Sequence, residues 1–449
     1  MHFQNVLRKT KPTPKEVDEI HKILGRLNDE TSKLGYKGVA VGSIGKHTWL
    51  KGDYDIDWFI FFPKETSRKD LEKKGLAIGK KLSIIFKGKC QVKYAEHPYT
   101  RVLLKKYHID VVPCYKIEKG EKIISAVDRS PLHLKFVHDE LPAKNQDEVR
   151  LLKQFMKGIG VYGSDLKRNG FSGYIAELLI IKYGSFNAVI KEAGRWKPGI
   201  TISIIESNAK IREKSPLILV DPVDHARNVA AAVSEENFLY FVSSCHSFMK
   251  KPALDYFYPR NLPLSQKEIS FLASRGTFWF TFVGKSPDIV DDILWPQMRR
   301  ASSRIASLLR HNDFEVYTSD VFANKNMILF FELEEGKKPA AERMQGPPVY
   351  AVDHLKEFLK KYAGKDFGVF IEGENVVAYR KRPMQLASEI AKFRKLSVYE
   401  LHNLGIPKNI ANAFRKSSYI DQKKFWSFVR KNKELSISMR KKYFEKTMK

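Results

Sequence analysis

Cysteine is scarce in this chain, and long apolar runs are lacking. The 449 residues include only three cysteines, Cys90, Cys114 and Cys245, and these lie far apart. This distribution excludes a disulfide framework and the close spacing of a zinc site, and it fits a reducing cytoplasm. Because no apolar stretch is long enough to span a bilayer and no signal peptide opens the chain, we expect a cytoplasmic protein that does not act at a membrane.

Acidic residues are also few relative to basic ones. The chain has 79 Lys and Arg residues against 51 Asp and Glu residues, which gives a net charge of +28 and an isoelectric point near 9.7. On a folded chain this balance favours a polyanionic partner such as a nucleic acid. The alternative is a solvated lysine surface, which is common in proteins from hot environments.

Length and local patterns predict a multidomain α+β fold, because 449 residues exceed a single core. Thr13, Pro14 and Glu16 form a helix-start signal, and Gly35 ends the helix that follows. The next predicted elements are a strand at 38–41, a short helix through Trp49, a strand at 55–62, a Lys-rich helix at 66–86 and strands near 89–95, 100–105 and 107–113. Such an order indicates a mixed sheet with helices on one side.

The predicted secondary structure changes twice in the rest of the chain, first to mainly helical and then to mixed helices and strands. Residues 147–250 have mainly helical periodicity, and the Pro-rich stretch 251–263 indicates a boundary. Phe278, Phe280 and Phe282 then share one face of a strand, which is more typical of core than of base stacking, with Trp279 on the other face. Further predicted elements are a helix at 287–311, strands near 314–322 and 327–334, a helix at 352–363, a hairpin of 367–371 and 376–380, and a basic helical tail from 383.

Three acidic residues on two predicted strands form the most informative pattern. Asp55 and Asp57 stand at the polar start of a strand with an apolar run at 58–62, and Asp110 lies in a second apolar strand. Residues two apart on a strand point to the same side. Neighbouring carboxylates repel unless a cation lies between them, and Mg²⁺ prefers such oxygen ligands. We therefore predict an Mg²⁺ site, beside a Gly42-Ser43 turn that binds phosphate; the alternative is a polar strand end that makes loop hydrogen bonds.

The arrangement resembles the nucleotidyltransferase fold, and further motifs resemble the archaeal, class I, tRNA CCA-adding enzymes. Residues 46–57 read Lys-x-Thr-Trp-Leu-Lys-Gly-x-x-Asp-Ile-Asp, and four more segments agree in the family's order, at 110–115, 125–133, 171–179 and 221–232. The half beyond residue 260 resembles the family in length and basic character. One departure is Ser130, where the family usually has Thr, and it keeps the hydroxyl.

The resemblance implies three domains and one reaction. The domains are a nucleotidyltransferase head at 1–142, a helical central domain at 143–258 that contributes to nucleotide binding, and an α+β body and tail at 259–449 that binds tRNA. The reaction is template-independent addition and repair of the 3′-terminal CCA of tRNA from CTP and ATP. Two metal ions about 4 Å apart would stabilise the attacking and leaving oxygens. Asp55 and Asp57 would bridge both ions, and Asp110 would complete the ion at the hydroxyl. The oligomeric state is left undecided between monomer and homodimer, since the family often dimerises.

Seven residues are expected to bind the nucleotide, and three of them, His133, Lys153 and Tyr162, are carried over from the family. The expected contacts are Gly42, Ser43, Lys46, His133, Lys153 and Tyr162 for the triphosphate, and Arg227 for the base. The alternative for Lys46 and Lys153 is solvent, and for His133 it is a surface or core position. For Arg227 the alternative is an ion pair with Asp221 or Asp224, and we favour a combination in which an acid orients the arginine that reads the base. Asp53 shares the strand alternation and is a candidate fourth acid.

The basic second half is expected to bind the acceptor stem and 3′ end of tRNA. A protein that accepts every tRNA reads A-form shape, phosphates and 2′-hydroxyls rather than sequence. The candidate residues are Arg299, Arg300 and Arg304 on the predicted 287–311 helix. For any one of them a solvated surface position is the alternative.

Two other functions are left open. A poly(A) or terminal uridylyl polymerase would share the fold and the metal site, which do not separate it from CCA addition. An RNA-binding protein without activity is a different class, and it would be expected to have lost at least one of the three acids. All three are retained here.

Overall fold

The computed structural model describes residues 3–94, 96–206 and 211–445. The chain divides into two units, the first ending at Arg260 and the second beginning at Asn261. Across the described residues, no helix combines the length and the apolarity that a membrane crossing needs.

The first part of unit 1 is built on a five-stranded mixed sheet. Its strand order is β1-β2-β5-β4-β3, and only the central pair, β2 and β5, is parallel. The strands are β1 (Gly38–Val41), β2 (Asp55–Phe62), β3 (Lys89–Tyr94), β4 (Pro98–Leu104) and β5 (Tyr107–Tyr115), and the helices are α1 (Gln4–Thr10), α2 (Pro14–Lys33), α3 (Gly42–Gly45), α4 (Arg68–Ile85) and α5 (Arg129–Glu140). The predicted mixed sheet is confirmed; Ala95, in the predicted third strand, lies outside the described residues.

Local sequence signals account for the entry to the sheet. The Thr13 hydroxyl accepts from the N–H of Glu16, whose carboxylate accepts from the N–H of Thr13, so the predicted capping box begins α2. The predicted short helix through Trp49 is wrong, because α3 ends at Gly45. His47 has a positive φ of 57°, a conformation that does not continue a right-handed helix.

The second part of unit 1 is mainly helical, as predicted. Its helices are α6 (Gln146–Gly158), α7 (Gly173–Tyr183), α8 (Phe186–Ala193) and α9 (Glu235–Lys250), and its short parallel strands are β6 (Ile200–Ile202) and β7 (Leu217–Leu219). Helix α7 is buried along nearly its whole length, since its sequence is apolar on all sides except for Glu177 and Lys182. Glu177 is therefore the one acid that this helix carries into the core.

Unit 2 contains two antiparallel sheets. Their strand orders are β14-β8-β10-β9 and β11-β13-β12. In chain order the elements are α10 (Gln266–Ala273), β8 (Phe278–Lys285), α11 (Asp291–His311), β9 (Val316–Ala323), β10 (Asn326–Leu333), β11 (Ala341–Pro348), α12 (Val352–Tyr362), β12 (Val369–Glu372), β13 (Asn375–Lys381), α13 (Val398–Asn403), α14 (Lys408–Arg415), β14 (Ser418–Ile420), α15 (Gln422–Lys431) and α16 (Lys433–Arg440).

Strand β8 has the two-faced pattern that the sequence predicts. Phe280 and Phe282 are fully buried in the core that α11 covers, and Trp279 packs on the opposite face against Phe425. The core interpretation of these phenylalanines is confirmed, so they are not available to stack on bases. Strands β11 and β14 were not predicted, since the first is rich in charged and proline residues and the second is only three residues long.

Candidate active site

The three predicted carboxylates lie on the central parallel strand pair. Asp57 on β2 is directly opposite Asp110 on β5, and Asp55 is opposite His108. Because residues in register on neighbouring strands point to the same face, and Asp55 is two residues from Asp57, all three side chains lie on one face of the sheet. We call Asp55, Asp57 and Asp110 the carboxylate group. Asp55 is exposed, Asp57 is half-buried and Asp110 is buried.

The carboxylate group is not a ready-made cage. Both oxygens of Asp110 accept from Arg101 on β4, with Nε–Oδ1 and Nη2–Oδ2 distances of 2.6 Å each. The Nδ1 atom of His108 lies 2.9 Å from Asp55 Oδ1. Among the described residues, no group of three or more His, Cys, Asp or Glu side chains is arranged to hold a metal ion. Arg101 was not predicted, although its position nine residues before Asp110 is typical of two strands of a hairpin.

Asp57 lies in an electrostatically unfavourable position. Burial, together with the negative charges of Asp110 and Asp55, raises its pKa to about 6, against an ordinary value of 3.8. Gly42 makes this position sterically accessible, because a Cβ atom on that residue would lie 2.1 Å from Asp57 Oδ2. Gly42 also has a positive φ of 63°, which favours glycine. The predicted Gly-Ser turn therefore lies against the carboxylate group.

Asp53, the candidate fourth acid, has a different partner. It precedes β2, and its two oxygens accept from the ammonium group of Lys157 on α6 at 3.0 and 2.8 Å. A Lys157–Tyr162 cation–π contact of 5.4 Å lies next to this pair. Burial raises the pKa of the Tyr162 hydroxyl, so this phenol is a neutral donor at physiological pH.

Two of the predicted phosphate-binding lysines meet in a buried cluster. Lys46 Nζ donates to Glu177 Oε2 at 2.8 Å, and Lys153 Nζ donates to Glu177 Oε1 at 2.8 Å. The Thr48 hydroxyl donates to Glu177 Oε1 at 2.5 Å and accepts from Lys153 Nζ at 2.9 Å. We call Lys46, Thr48, Lys153 and Glu177 the cation cluster. Its three charged side chains are 7% or less exposed, so the alternative of a solvated position is wrong for Lys46 and Lys153.

Glu177 is the functional candidate that sequence reasoning missed. It lies within the segment 171–179 that carries the family resemblance, but it was given no role there. The available signal was a single acid among apolar residues of one helix, which predicts a buried charge that needs a cationic partner.

Helix α6 also fixes the loop that follows α3. Arg150 donates to the carbonyl oxygen of Trp49 at 3.1 Å and to that of His47 at 2.5 Å. The N–H of Thr48 donates to the carbonyl oxygen of Ser43 at 2.9 Å. The turn that presents Ser43 is thus connected by hydrogen bonds to two helices of the central part of the unit.

A second set of predicted residues surrounds a cleft of about 810 Å³. His133 and Arg227 both line it, and both bind the buried carboxylate of Asp221, with Nε2–Oδ2 and Nη1–Oδ2 distances of 2.9 and 2.7 Å. Burial lowers the pKa of His133, although Asp221 opposes this effect. The His133 ring stacks on Tyr174, with 4.1 Å between the centroids.

The cleft and the cation cluster share one aromatic ring. Lys46 Nζ lies 4.4 Å from the centroid of Tyr174, which lines the cleft. Of the two expected partners for Arg227, the structure pairs it with Asp221, while Asp224 accepts from Arg129 at 2.8 Å. The guanidinium group of Arg227 is partly exposed, whereas Asp221 is fully buried. The acid therefore binds the buried side of the guanidinium group and leaves its other side accessible.

The candidate tRNA-binding arginines lie on α11 in unit 2. Arg300 is exposed. Arg299 lies over the ring of Trp295 at 5.8 Å, and Arg304 donates to the carbonyl oxygen of Leu404. Arg300 and Arg304 are exposed on the side of the helix away from the core, whereas Arg299 is partly buried.

Comparisons with known proteins cover nearly the whole chain. Three family profiles match successive parts, described as a nucleotidyltransferase domain at residues 17–133, the second domain of tRNA nucleotidyltransferase at 147–258, and the C-terminal domain of the CCA-adding enzyme at 275–434. Among solved structures, a cytoplasmic RNA terminal U-transferase is a distant likeness, with 13% identity and a TM-score of 0.44 over 57% of this chain and 97% of its own.

Full-length relatives are closer. The CCA-adding enzyme of Methanosarcina barkeri is 40% identical over 87% of this chain and 88% of its own length. Those of Methanocaldococcus jannaschii and Archaeoglobus fulgidus are 36% and 37% identical, over 91% and 90% of this chain and 93% and 90% of their own lengths. Similarity of this extent shows that the chain belongs to the family of CCA-adding enzymes, which are nucleotidyltransferases.

Proposed function

We propose that this protein adds and repairs the 3′-terminal CCA of tRNA, without a template, from CTP and ATP. The observation that carries the proposal is the register of β2 and β5, which sets Asp57 opposite Asp110, in a chain with full-length similarity to CCA-adding enzymes. In each cycle the 3′-hydroxyl oxygen of the RNA forms a bond to the α-phosphorus of the nucleotide. The bond from that phosphorus to the β-phosphate bridging oxygen breaks, and pyrophosphate leaves.

The carboxylate group fits divalent cations, and we propose Mg²⁺. Its three carboxylates have one guanidinium group, that of Arg101, as a close partner, and burial together with the neighbouring negative charges raises the pKa of Asp57 to about 6. Oxygen ligands with a surplus of negative charge suit a hard cation. Bound Mg²⁺ would stabilise the charge that develops on the attacking and leaving oxygens. Asp55 and Asp57 would hold it from β2 and Asp110 from β5, and we assign to Asp110 the acceptance of the hydroxyl proton.

The triphosphate is proposed to bind beside the carboxylate group. Gly42 allows close approach, and Ser43 offers a hydroxyl and an N–H group. Lys46, Lys153, His133 and the phenol of Tyr162 supply positive charge or hydrogen-bond donors as the β- and γ-phosphates become a leaving group.

Arg227 is proposed to read the base at the mouth of the cleft. Asp221 fixes one of its terminal nitrogens at 2.7 Å, which leaves the rest of the planar fork of donors for acceptor edges on cytosine or adenine. Asp221 also fixes His133, so the same buried acid orients one base-reading and one phosphate-binding group.

The test is incorporation into tRNA that lacks its terminal CCA. Purified protein is incubated with this RNA and with CTP, ATP, UTP or GTP singly, and then with CTP and ATP together. We expect two cytidines with CTP alone and a complete CCA end with both. Incorporation of UTP, or long A tails, would instead identify a polymerase of the other kind, and no incorporation in any arm would favour an RNA-binding protein without activity.

Unit 2 is proposed to bind the acceptor stem through phosphates. The net charge of +28 on the whole chain and the exposed Arg300 and Arg304 of α11, with the partly buried Arg299 beside them, support this. We also propose the division into domains at 1–142, 143–258 and 259–449 and a cytoplasmic location. Whether the protein is a monomer or a homodimer is left undecided. The affinity for tRNA should fall steeply as salt rises, because phosphate contacts release counterions, and a flat response would count against this role.

A further inference from the structure

The cation cluster contains more positive than negative charge. Two ammonium groups, of Lys46 and Lys153, share the single carboxylate of Glu177, with one lysine on each oxygen. Burial alone would raise the pKa of Glu177, but Lys153 and Lys46 lower it to about 2, so the acid is ionised. With both lysines protonated these three side chains carry one positive charge in excess, although burial lowers the pKa of Lys153 against the opposing effect of Glu177. Asp57 offsets part of this charge, since Lys46 acts to lower the pKa of that carboxyl, and a bound anion would offset the rest of the cost of burying it.

We propose that Glu177 is a positioning residue for the nucleotide triphosphate, because it holds Lys153 and also Lys46, which lies over the cleft-lining ring of Tyr174, while it leaves their surplus positive charge for the phosphates. The inference rests on the proposed function, in which both lysines serve the triphosphate. It adds a role for a residue that touches neither nucleotide nor RNA, and it explains why a buried acid lies between two groups that must bind an anion.

The hydrogen-bond inventory supports this division of labour. A lysine has three N–H donors. Lys153 directs them to Glu177 Oε1 at 2.8 Å, to the Thr48 hydroxyl at 2.9 Å and to the Thr48 carbonyl oxygen at 3.3 Å. The last is the longest, so a phosphate oxygen can replace it at the least cost. Lys46 binds Glu177 and lies over Tyr174, a lining residue of the cleft.

Glu177 also connects the lysines to the Gly-Ser turn. The Thr48 hydroxyl donates to Glu177, and the Thr48 N–H donates to the Ser43 carbonyl oxygen. Thr48 is fully buried, so this connection is shielded from competing water. Removing the charge of Glu177 should therefore disturb the lysines and the turn together, and its effect should appear in nucleotide binding rather than in tRNA binding.

The test uses Glu177→Gln in the full-length protein, with direct binding of CTP and ATP by equilibrium dialysis without RNA. We expect the Kd for each nucleotide to rise about tenfold or more, since the amide cannot compensate either ammonium group. The Kd for tRNA should stay within about twofold of the original. An unchanged nucleotide Kd would overturn the proposal, and so would a lower one, because charge attraction alone would tighten binding to a cluster that has become more positive.

Glu332→Gln in unit 2 is a matched control for loss of a buried acid. Glu332 is equally buried, accepts from the Thr277 hydroxyl at 2.9 Å and pairs with Arg275 at 3.2 Å. Both variants should lower the melting temperature, but only Glu177→Gln should weaken nucleotide binding. If both variants weakened it equally, Glu177 would be a stabilising residue and nothing more.

Thr48→Val keeps the test decisive if Glu177→Gln does not fold. This substitution conserves shape and removes the hydroxyl between Lys153 and Glu177. We expect a nucleotide Kd raised about threefold to tenfold, and an unchanged Kd would again overturn the proposal. Because binding is measured without turnover, the outcome is distinct from failure of CCA addition, which the incorporation assay alone decides.

Discussion

The carboxylate group and the cation cluster belong to the same unit, yet their charge imbalances have opposite signs. In the carboxylate group three acids have Arg101 as their close cationic partner, and the pKa of Asp57 is raised to about 6. In the cation cluster two lysines share one acid, and the pKa of Glu177 is lowered to about 2. If each cluster served only to stabilise the fold, equal numbers of positive and negative charges would be expected in it. Unequal charges of opposite sign suit a ligand that carries cations at one end and phosphates at the other.

Asp57→Asn gives the largest expected effect, because it removes one carboxylate from the side that holds the cations. We expect nucleotide incorporation to fall by at least about a thousandfold, since several kcal/mol of stabilisation of the reacting oxygens would be lost. Binding of tRNA should be nearly unchanged. Asp53→Asn is the matched control, because Asp53 lies two residues before β2 and pairs with Lys157 instead. If Asp57→Asn retains nucleotide incorporation, or if Asp53→Asn loses as much incorporation as Asp57→Asn, the assignment of the carboxylate group as the metal site is wrong.

The sequence predicted the carboxylate group better than the cation cluster, and the reason is physical. Alternation along a strand requires Asp55 and Asp57 to share a face, and the apolar runs predict both strands of the parallel pair. The partners of a buried lysine come from distant parts of the chain. Lys46 and Glu177 are 131 residues apart, and only the packing of α7 brings them together.

The fold shows the same limit. Helix and strand periodicities predicted the long elements of both units, including β2 with its bounds as observed. The failures were short elements, one helix end and the eight-residue β11, whose charged and proline residues do not give a strand pattern. Strands β6 and β7 have three residues each, which is too short for a periodic pattern. Helix α3 ends at Gly45, and the left-handed His47 two residues later prevents its continuation through Trp49.

Asp57→Asn should also stabilise the protein, and the effect should depend on pH. The folded pKa of about 6 lies above the ordinary 3.8, so the folded state binds the proton more tightly than the unfolded state. Unfolding free energy of the original protein therefore falls as the pH rises from about 4 to 6, and the loss is complete above that window. At pH 8 without divalent ions we expect a gain of at most about 3 kcal/mol for the variant, and at pH 3 none. Denaturant titrations at both pH values measure this, and an equal difference at both would show that Asp57 carries no electrostatic cost.

Arg227→Lys sharpens the comparison on the cationic side, because it keeps the charge and removes the planar fork. We expect kcat/KM for CTP and ATP to fall about tenfold to a hundredfold, which corresponds to one lost bidentate contact of about 1–3 kcal/mol. Misincorporation of UTP should rise, since base recognition is weakened more than phosphate binding. Lys250→Arg, on the exposed end of α9, is the control for a change of cation type. A variant with full selectivity would show that positive charge alone suffices at this position.

Arg101→Met is expected to have the smallest effect, and it addresses why the carboxylate group is only partly paired. Arg101 occupies both oxygens of Asp110, so a divalent cation must compete with it for that carboxylate. Removing the guanidinium group makes the group more negative, and we expect the Kd for Mn²⁺, measured by titration without nucleotide, to tighten about threefold to tenfold, as about 1 kcal/mol of repulsion is relieved. Arg68→Met, which removes an exposed arginine that pairs with Glu72 on α4, should leave it unchanged. A weaker Kd in Arg101→Met would mean that Arg101 orients Asp110 for the cation instead of competing with it.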